Sequence, residues 1–132
     1  MNRTSTFLKG VVVFCSLVGL SVNAQSITVT NTNNSGAGSL RQAVIDSATN
    51  GTIIFNSSTN GTAITLESPI TIDKNLSISG NGVASTTLDG DETSRIFTIT
   101  NAVSVSISDI TFTDGYAADN GGAISATNSG LV

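Results

Sequence analysis

The chain has 132 residues, no His and only 11% charged residues, and Ser (19), Thr (19), Asn (13) and Gly (13) make up almost half of it. This composition disfavours a helical bundle and is compatible with one small domain at most. Because His is absent, Ser-His-Asp and Cys-His catalytic sets and His-ligated zinc sites are excluded. The net charge is −4, so we expect no nucleic-acid partner.

Residues 1–24 have the pattern of a secretory signal peptide. Two basic residues precede an apolar run from Val11 to Leu20, and a short polar segment with small residues ends at Ala24. The alternative is a membrane-spanning helix, but the run is about half of the ~20 residues that such a helix needs. We predict cleavage between Ala24 and Gln25, and a mature segment that does not insert into a membrane. The only cysteine, Cys15, lies in the signal, so the mature chain forms no disulfide.

Residues 25–132 contain short runs in which apolar and small polar residues alternate, separated by turns rich in Asn, Asp and Gly. Strands this short are typical of a solenoid, where each pairs in parallel with strands of the neighbouring coils. Leu76-Ser77-Ile78-Ser79 recurs as Val103-Ser104-Val105-Ser106, and Gly130-Leu131-Val132 resembles the start of a third copy, a spacing of about 27 to 28 residues. A β-sandwich of short strands is the alternative. The predicted strands are 27–30, 52–55, 63–66, 70–72, 76–78, 86–88, 96–99, 103–107, 110–112 and 123–124.

One segment, from Ser39 to Ala48, has a helical pattern. Ser39 and Gln42 have the spacing of a capping box, in which each side chain bonds the backbone N–H of the other residue. The apolar face is predicted to contain Leu40, Val44 and Ile45, flanked by Ala43 and Ala48. We predict that this helix covers the N-terminal end of the solenoid; the alternative is a helix that binds a partner.

The run from Ile27 to Ala43, with Ser39-Leu40-Arg41-Gln42-Ala43, resembles the opening of bacterial secreted and surface proteins with a right-handed parallel β-helix. In that pectin-lyase-like family a helix of this kind caps the first coil. Gly121-Gly122-Ala123-Ile124 resembles the repeat of polymorphic outer-membrane proteins, although their companion Phe-x-x-Asn motif is not met after Phe112. The resemblance covers residues 26–132 and implies an all-β fold and export. It implies no single activity, because adhesins, autotransporter passengers and polysaccharide-degrading enzymes share this fold.

The densest charged cluster contains Asp89, Asp91 and Glu92, followed by Arg95. The resemblance implies that a polysaccharide lyase would hold Ca²⁺ on carboxylates and use an Arg or Lys as its base. Calcium takes about six to eight oxygen ligands, and the lyase carboxylates come from neighbouring coils rather than one turn. We therefore interpret the cluster as a solvated acidic turn with Arg95 as a local counter-charge. We predict no catalytic, cofactor-binding or metal-binding residue here; bound Ca²⁺ is the alternative.

A second acidic set surrounds Tyr116, the only tyrosine of the chain, and turn geometry accounts for its members: Asp109, Asp114 and Asp119. An exposed Tyr116 would offer a platform for stacking a sugar, but we expect partly buried packing. We assign no role to Lys74 or to the Asn-x-Ser/Thr triplets. The outward rows of Ser, Thr and Asn form a repeated polar face, which either makes many weak contacts to glycans or only solvates the sheet.

Two functions therefore stay open. The first is a non-enzymatic adhesin-type or passenger protein, secreted or held at the outer membrane or cell surface, with polysaccharides or host-cell glycans as partners. The second is the N-terminal part of a polysaccharide lyase whose active site lies beyond residue 132. We also expect that residues 25–132 form only the cap and first coils of a longer protein, because Gly130 stands where a new coil should begin. An uncovered coil end would then favour end-to-end self-association.

Overall fold

The computed structural model describes residues 25–101, 103–127 and 130–131. These described residues form a parallel β-helix of about four turns with one short α-helix, as predicted. In chain order the elements are β1 (Ser26–Val29), α1 (Leu40–Asp46), β2 (Gly51–Phe55), a 3₁₀ helix (Ser57–Thr59), β3 (Ile64–Thr65), β4 (Ile70–Ile72), β5 (Leu76–Ser79), β6 (Thr87–Asp89), β7 (Phe97–Ile99), β8 (Ser104–Ser108), β9 (Thr111–Thr113), β10 (Ile124–Ala126) and β11 (Gly130–Leu131).

Three sheets run along the β-helix, in the strand orders β1-β2-β5-β8-β11, β3-β6-β9 and β4-β7-β10. Each complete coil contributes one strand to each sheet, so β2-β3-β4, β5-β6-β7 and β8-β9-β10 are successive coils. Every strand pair among the described residues is parallel. Consecutive strands therefore form no hairpins in this part of the chain, and the β-sandwich alternative is wrong.

Apolar side chains of equivalent positions stack in columns inside the coils. Because side chains alternate between the faces of a strand, every second residue enters the interior. In the five-stranded sheet one column contains Ile27, Ile53, Ile78 and Ile107. Ile53 and Ile78 of the inner strands are buried, whereas Ile27 and Ile107 are half-buried. The rings of Phe97 and Phe112 pack edge to face between sheets, with centroids 6.1 Å apart.

The register of β8 differs from the apparent sequence repeat. Leu76 lies opposite Val105 and Ile78 opposite Ile107, so the pairing falls two residues later than the match of Leu76 with Val103 suggests. A shift of two residues keeps the same side chains on the inner face, whereas a shift of one would invert them. The predicted third copy is present at its first two residues, Gly130 and Leu131, which pair with β8; Val132 lies outside the described residues.

Helix α1 is shorter than predicted. It ends at Asp46, because Ser47 has extended backbone angles (φ −66, ψ 139) and its hydroxyl donates to the carbonyl of Ala43 at 2.7 Å. Leu40, Ala43 and Val44 are buried. The placement of Ile45 on the apolar face is wrong, since its side chain is 62% exposed. At 3.6 residues per turn, Ile45 lies about 140° around the helix axis from Leu40.

Half of the predicted capping box forms. The Ser39 hydroxyl accepts a hydrogen bond from the backbone N–H of Gln42 at 3.1 Å, as an N-cap does. The return bond is absent: the Gln42 side chain donates to Asp46 at 2.9 Å, and the N–H of Ser39 donates to the Gly36 carbonyl at 3.1 Å. The Ser39 N–H, which the Gln42 side chain was expected to bind, is thus satisfied by a tight turn before the helix.

The helix packs against β1 and β4 at the N-terminal end of the β-helix, as predicted. Two cationic side chains, Lys74 and Arg41, hold the helix there by donating to main-chain oxygens. Lys74 Nζ donates to the carbonyls of Val44, Ile45 and Ser47 at the helix C-terminus, the last at 2.8 Å. Cations are favoured at this end of a helix because its last carbonyls lack partners.

Arg41, on the first turn of α1, joins two loops. Its guanidinium donates to the carbonyl and side-chain oxygens of Asn34 and to the carbonyls of Ser68 and Pro69, at 2.7 to 3.0 Å. Desolvation by burial lowers the pKa of Arg41, and the negative charge of Glu67 opposes this shift. Arg41 therefore fastens the cap to the turn between β3 and β4.

The predicted signal segment, including Ala24 and its cleavage site, lies outside the described residues. Gln25, the predicted first residue of the mature chain, belongs to the first coil. Its carbonyl accepts from the N–H of Thr52 and its side-chain oxygen from the N–H of Ala48, both at 2.8 Å. In the described part of the chain, no helix has both the length and the apolar character needed to cross a bilayer.

Candidate functional site

The turns that join the second and third sheets stack along one edge of the β-helix and leave a groove between them. It has a volume of about 500 Å³ and is lined by residues of three successive coils. Glu67 to Pro69 come from the turn between β3 and β4, Thr93 to Arg95 from the turn between β6 and β7, and Tyr116 to Asp119 from the loop between β9 and β10. The groove therefore exists only when the coils are stacked.

Arg95 connects two of these coils. Its guanidinium forms an ion pair with Asp119 and donates to the carbonyl of Asn120 at 2.8 Å. The Arg95 side chain is 16% exposed, whereas that of Asp119 is 78% exposed. The cation is thus held at the base of the groove, and the carboxylate remains accessible to a ligand.

The acidic turn before Arg95 is organised by the main chain. The Asp89 carboxylate accepts from the N–H of Asp91 at 2.8 Å, and the N–H of Glu92 donates to the carbonyl of Asp114 at 2.7 Å. Asp91 and Glu92 adopt positive φ angles of 53° and 57° and are exposed. The expected local pairing with Arg95 is wrong, because Arg95 turns to Asp119 of the next coil.

The prediction that this turn holds no metal has not been tested, and the same is true of the Ca²⁺ alternative. Within residues 25–101, 103–127 and 130–131, no three His, Cys, Asp or Glu side chains are grouped so that they could share a metal ion. Asp91 and Glu92 are both exposed, so this turn faces solvent.

Tyr116 is 55% exposed, so the expectation of partly buried packing is wrong and its ring is available at the surface. Its backbone N–H donates to the Ser94 carbonyl at 3.0 Å, which fixes the loop to the coil below. Gly115 precedes it and runs so close to Gly122 that a Cβ atom at this position would lie 2.6 Å from the Gly122 carbonyl. The chain just before Tyr116 therefore packs backbone against backbone, with no space for a side chain at Gly115.

The other members of the second acidic set have different roles. Asp109 and Asp114 adopt positive φ angles of 61° and 49°, as expected for turn residues. Asp114 also accepts a hydrogen bond from the Thr113 hydroxyl at 2.9 Å. Asp119, which turn geometry alone was expected to explain, is the partner of Arg95.

A second surface is the outer face of the five-stranded sheet. Strand register aligns Thr52, Ser77 and Ser106 in one outward row, and Ile54, Ser79 and Ser108 in the next. Beside them lies a polar depression of about 360 Å³, next to Asn75, whose side chain accepts from the N–H of Ser104 at 2.9 Å. The repeated polar face is therefore present, with Ile54 as an exposed apolar interruption.

Several residues of the groove were not identified from the sequence. Glu67, Ser68 and Pro69 carry no motif, and the pairing of β3 with β6 and of β4 with β7 brings their turn next to that of Arg95. If the strand register had been known, aligning the equivalent turns of successive coils would have identified these three residues. Lys74, to which no role was assigned, donates its ammonium group to the carbonyls at the C-terminal end of α1.

Comparisons with protein-family models, with curated proteins and with solved structures found no match to this chain. The fold is therefore established by the strand pairing itself, and the function has to be argued from the site.

Proposed function

We propose that this protein is an exported, non-enzymatic β-helix protein of the secreted or cell-surface type, which binds glycans through the groove around Tyr116 and Arg95. The observation that carries the proposal is an exposed tyrosine fixed beside an ion pair, in a groove built from three coils. Glycan binding was expected from a repeated polar face; the groove, at a different edge of the coils, offers a defined centre for such binding.

The exposed ring of Tyr116 supplies the apolar part of the contact. A sugar has one face of C–H groups, which packs favourably against an aromatic ring while its hydroxyls stay solvated. The ring is 55% exposed and its backbone is fastened to Ser94, so stacking would cost little conformational entropy. A volume of about 500 Å³ is within the range of small-ligand sites.

The polar part comes from Arg95, Asp119 and Glu67. A sugar hydroxyl both donates and accepts, so it can bond a carboxylate and a guanidinium at once. Asp119 is 78% exposed and already oriented by Arg95, so its free lone pairs face the groove. Weak binding at this centre would be strengthened by contacts along the row of Thr71, Thr98 and Ser125 on the third sheet, which adjoins the groove.

Export and surface location are supported by the sequence features already described. The signal-like segment ending at Ala24 provides a route out of the cytoplasm. The Ser39-to-Ala43 cap and the Gly121-to-Ile124 segment resemble bacterial surface β-helix proteins, among which adhesins and passengers are common. These resemblances favour a role in adhesion over one inside the cell.

The test is a glycan-binding panel on the purified protein with a matched pair of variants. Tyr116→Ala removes the stacking platform, and Val83→Ala removes a similarly exposed apolar side chain (65%) from a different corner of the coil. We expect Tyr116→Ala to weaken binding of the best glycan about tenfold, which is about 1.4 kcal/mol, and Val83→Ala to leave it unchanged. Equal affinities of the two variants would refute the groove as the binding site.

The alternative function, a polysaccharide lyase, predicts a different result in an activity assay. Acidic polysaccharides incubated with and without Ca²⁺ would develop unsaturated, ultraviolet-absorbing sugar ends if the protein were a lyase. We expect none. Turnover that is lost in Arg95→Ala would replace the adhesin proposal with the enzymatic one.

A further inference from the structure

The chain contains four Asn-Gly dipeptides, a sequence prone to spontaneous rearrangement because glycine has no side chain to obstruct its backbone nitrogen. They are Asn50-Gly51, Asn60-Gly61, Asn81-Gly82 and Asn120-Gly121. In such a pair the Gly nitrogen attacks the Asn side-chain amide carbon and loses its proton, and ammonia leaves. The resulting cyclic imide takes up one water molecule and opens to aspartate or isoaspartate.

Hydrogen bonding protects three of the four pairs. The N–H of Gly51 donates to the Ala48 carbonyl at 3.0 Å, that of Gly61 to Ser85 at 2.9 Å, and that of Gly82 to Asp109 at 3.2 Å. Each bond has to break before the nitrogen can turn towards its neighbouring side chain. Asn60 and Asn81 are restrained further, because their side chains bond each other at 2.8 Å.

The fourth pair is different. Among the described residues, no acceptor bonds the N–H of Gly121, and the Asn120 side chain likewise makes no hydrogen bond with them. Asn120 is exposed. Arg95 donates to the backbone carbonyl of Asn120 at 2.8 Å. This carbonyl belongs to the same peptide group as the Gly121 nitrogen, so the cation draws electron density from that group and makes the N–H more acidic.

We propose that Asn120 is a site of self-modification, at which the folded protein deamidates much faster than at its other Asn-Gly pairs. The product adds a carboxylate beside Asp119 and close to Arg95, and the isoaspartate form also lengthens the main chain by one methylene. The groove thus acquires negative charge with the age of the molecule. The modification itself does not depend on the proposed glycan function.

The test is peptide mapping by mass spectrometry after incubation of the folded, full-length protein at mildly alkaline pH. The readout is the mass change from amide to acid at each Asn-Gly pair. We expect Asn120 to react at least about fivefold faster than each of the other three, the factor that corresponds to one net backbone hydrogen bond. In strong denaturant we expect all four rates to converge.

Two controls decide the outcome. Asn120→Gln should abolish the main acidic isoform that accumulates on isoelectric focusing of the wild type. If Asn120 reacts no faster than Asn50, Asn60 and Asn81 in the folded protein, or keeps its advantage in denaturant, the proposal is overturned. Persistence of the acidic isoform in Asn120→Gln would overturn it as well.

Discussion

In the second and third sheets, the first and last described strands differ in how well their inward side chains are buried. At the N-terminal end Ile64 of β3 and Ile70 of β4 are only 1% and 2% exposed. Their register partners two coils later, Phe112 of β9 and Ile124 of β10, are half-buried. The N-terminal coil has the apolar face of α1 against it, so its core side chains are covered from both sides.

The cations of the two ends also differ in their partners. Arg41 and Lys74 bond mainly to main-chain carbonyls and hold α1 in place. Arg95, near the other end, bonds one carbonyl and one exposed carboxylate and borders the groove. The comparison teaches that a β-helix without disulfides can close one end with a helix and two cations, and use the same chemistry elsewhere to shape a surface.

The largest expected effect tests the difference in burial directly. Leu40→Ala should lower the free energy of unfolding by about 3 kcal/mol, because it leaves a cavity under a fully buried side chain. Ile124→Ala should cost about 1.5 kcal/mol, since that side chain is only half-buried. Urea unfolding of the purified variants measures both. Equal losses would show that the two ends are equally well packed.

The second prediction concerns the fastening of the cap by Arg41. Arg41→Ala should cost about 2 kcal/mol, because it leaves the part-buried carbonyl and side-chain oxygens of Asn34 without their charged donor and removes the tie to the exposed carbonyls of Ser68 and Pro69. Arg41→Lys should recover less than half of the loss, since an ammonium group cannot span four acceptors as the guanidinium fork does. Full recovery by lysine in urea unfolding would mean that charge alone matters.

The third prediction concerns the C-terminus of α1. Lys74→Met keeps the length of the side chain but removes the donor to three helix carbonyls, and should cost about 1 kcal/mol. Lys74→Arg should stay within about 0.5 kcal/mol of the wild type, because it keeps a cation at this place. Thermal unfolding followed by circular dichroism can resolve the two. A neutral Lys74→Met would contradict the capping role.

The smallest effects distinguish the observed N-cap from a complete capping box. Ser39→Ala should cost about 1 kcal/mol, because the N–H of Gln42 loses its acceptor. Gln42→Ala should cost no more than about 0.5 kcal/mol, the value of its exposed pairing with Asp46. A complete capping box would make the two losses comparable in the same unfolding assay.

Local patterns in the sequence predicted a large part of this fold. Three features depend only on neighbours a few positions away: the alternation of apolar and polar residues around Ile53 and Ile78, the turn residues between strands, and the N-cap at Ser39. The same patterns misplaced Ile45 and the end of α1. Helix geometry determines that Ile45 is exposed, and the hydrogen bond of the Ser47 hydroxyl accompanies the end of the helix. The acidic turn and Tyr116 were found as candidates, but their partners and exposure were not.

By itself, then, the sequence determined that the chain is all-β, coils with its apolar residues inside, and has a helix after its first strand that covers one end. Only the tertiary structure decided which turns lie side by side, because turns of unequal length shift the register from coil to coil. That register pairs Arg95 with Asp119, exposes Tyr116 and leaves the Gly121 N–H without a bond among the described residues. The contacts of Arg95 join residues more than twenty positions apart, and local sequence patterns carry no information about such pairs.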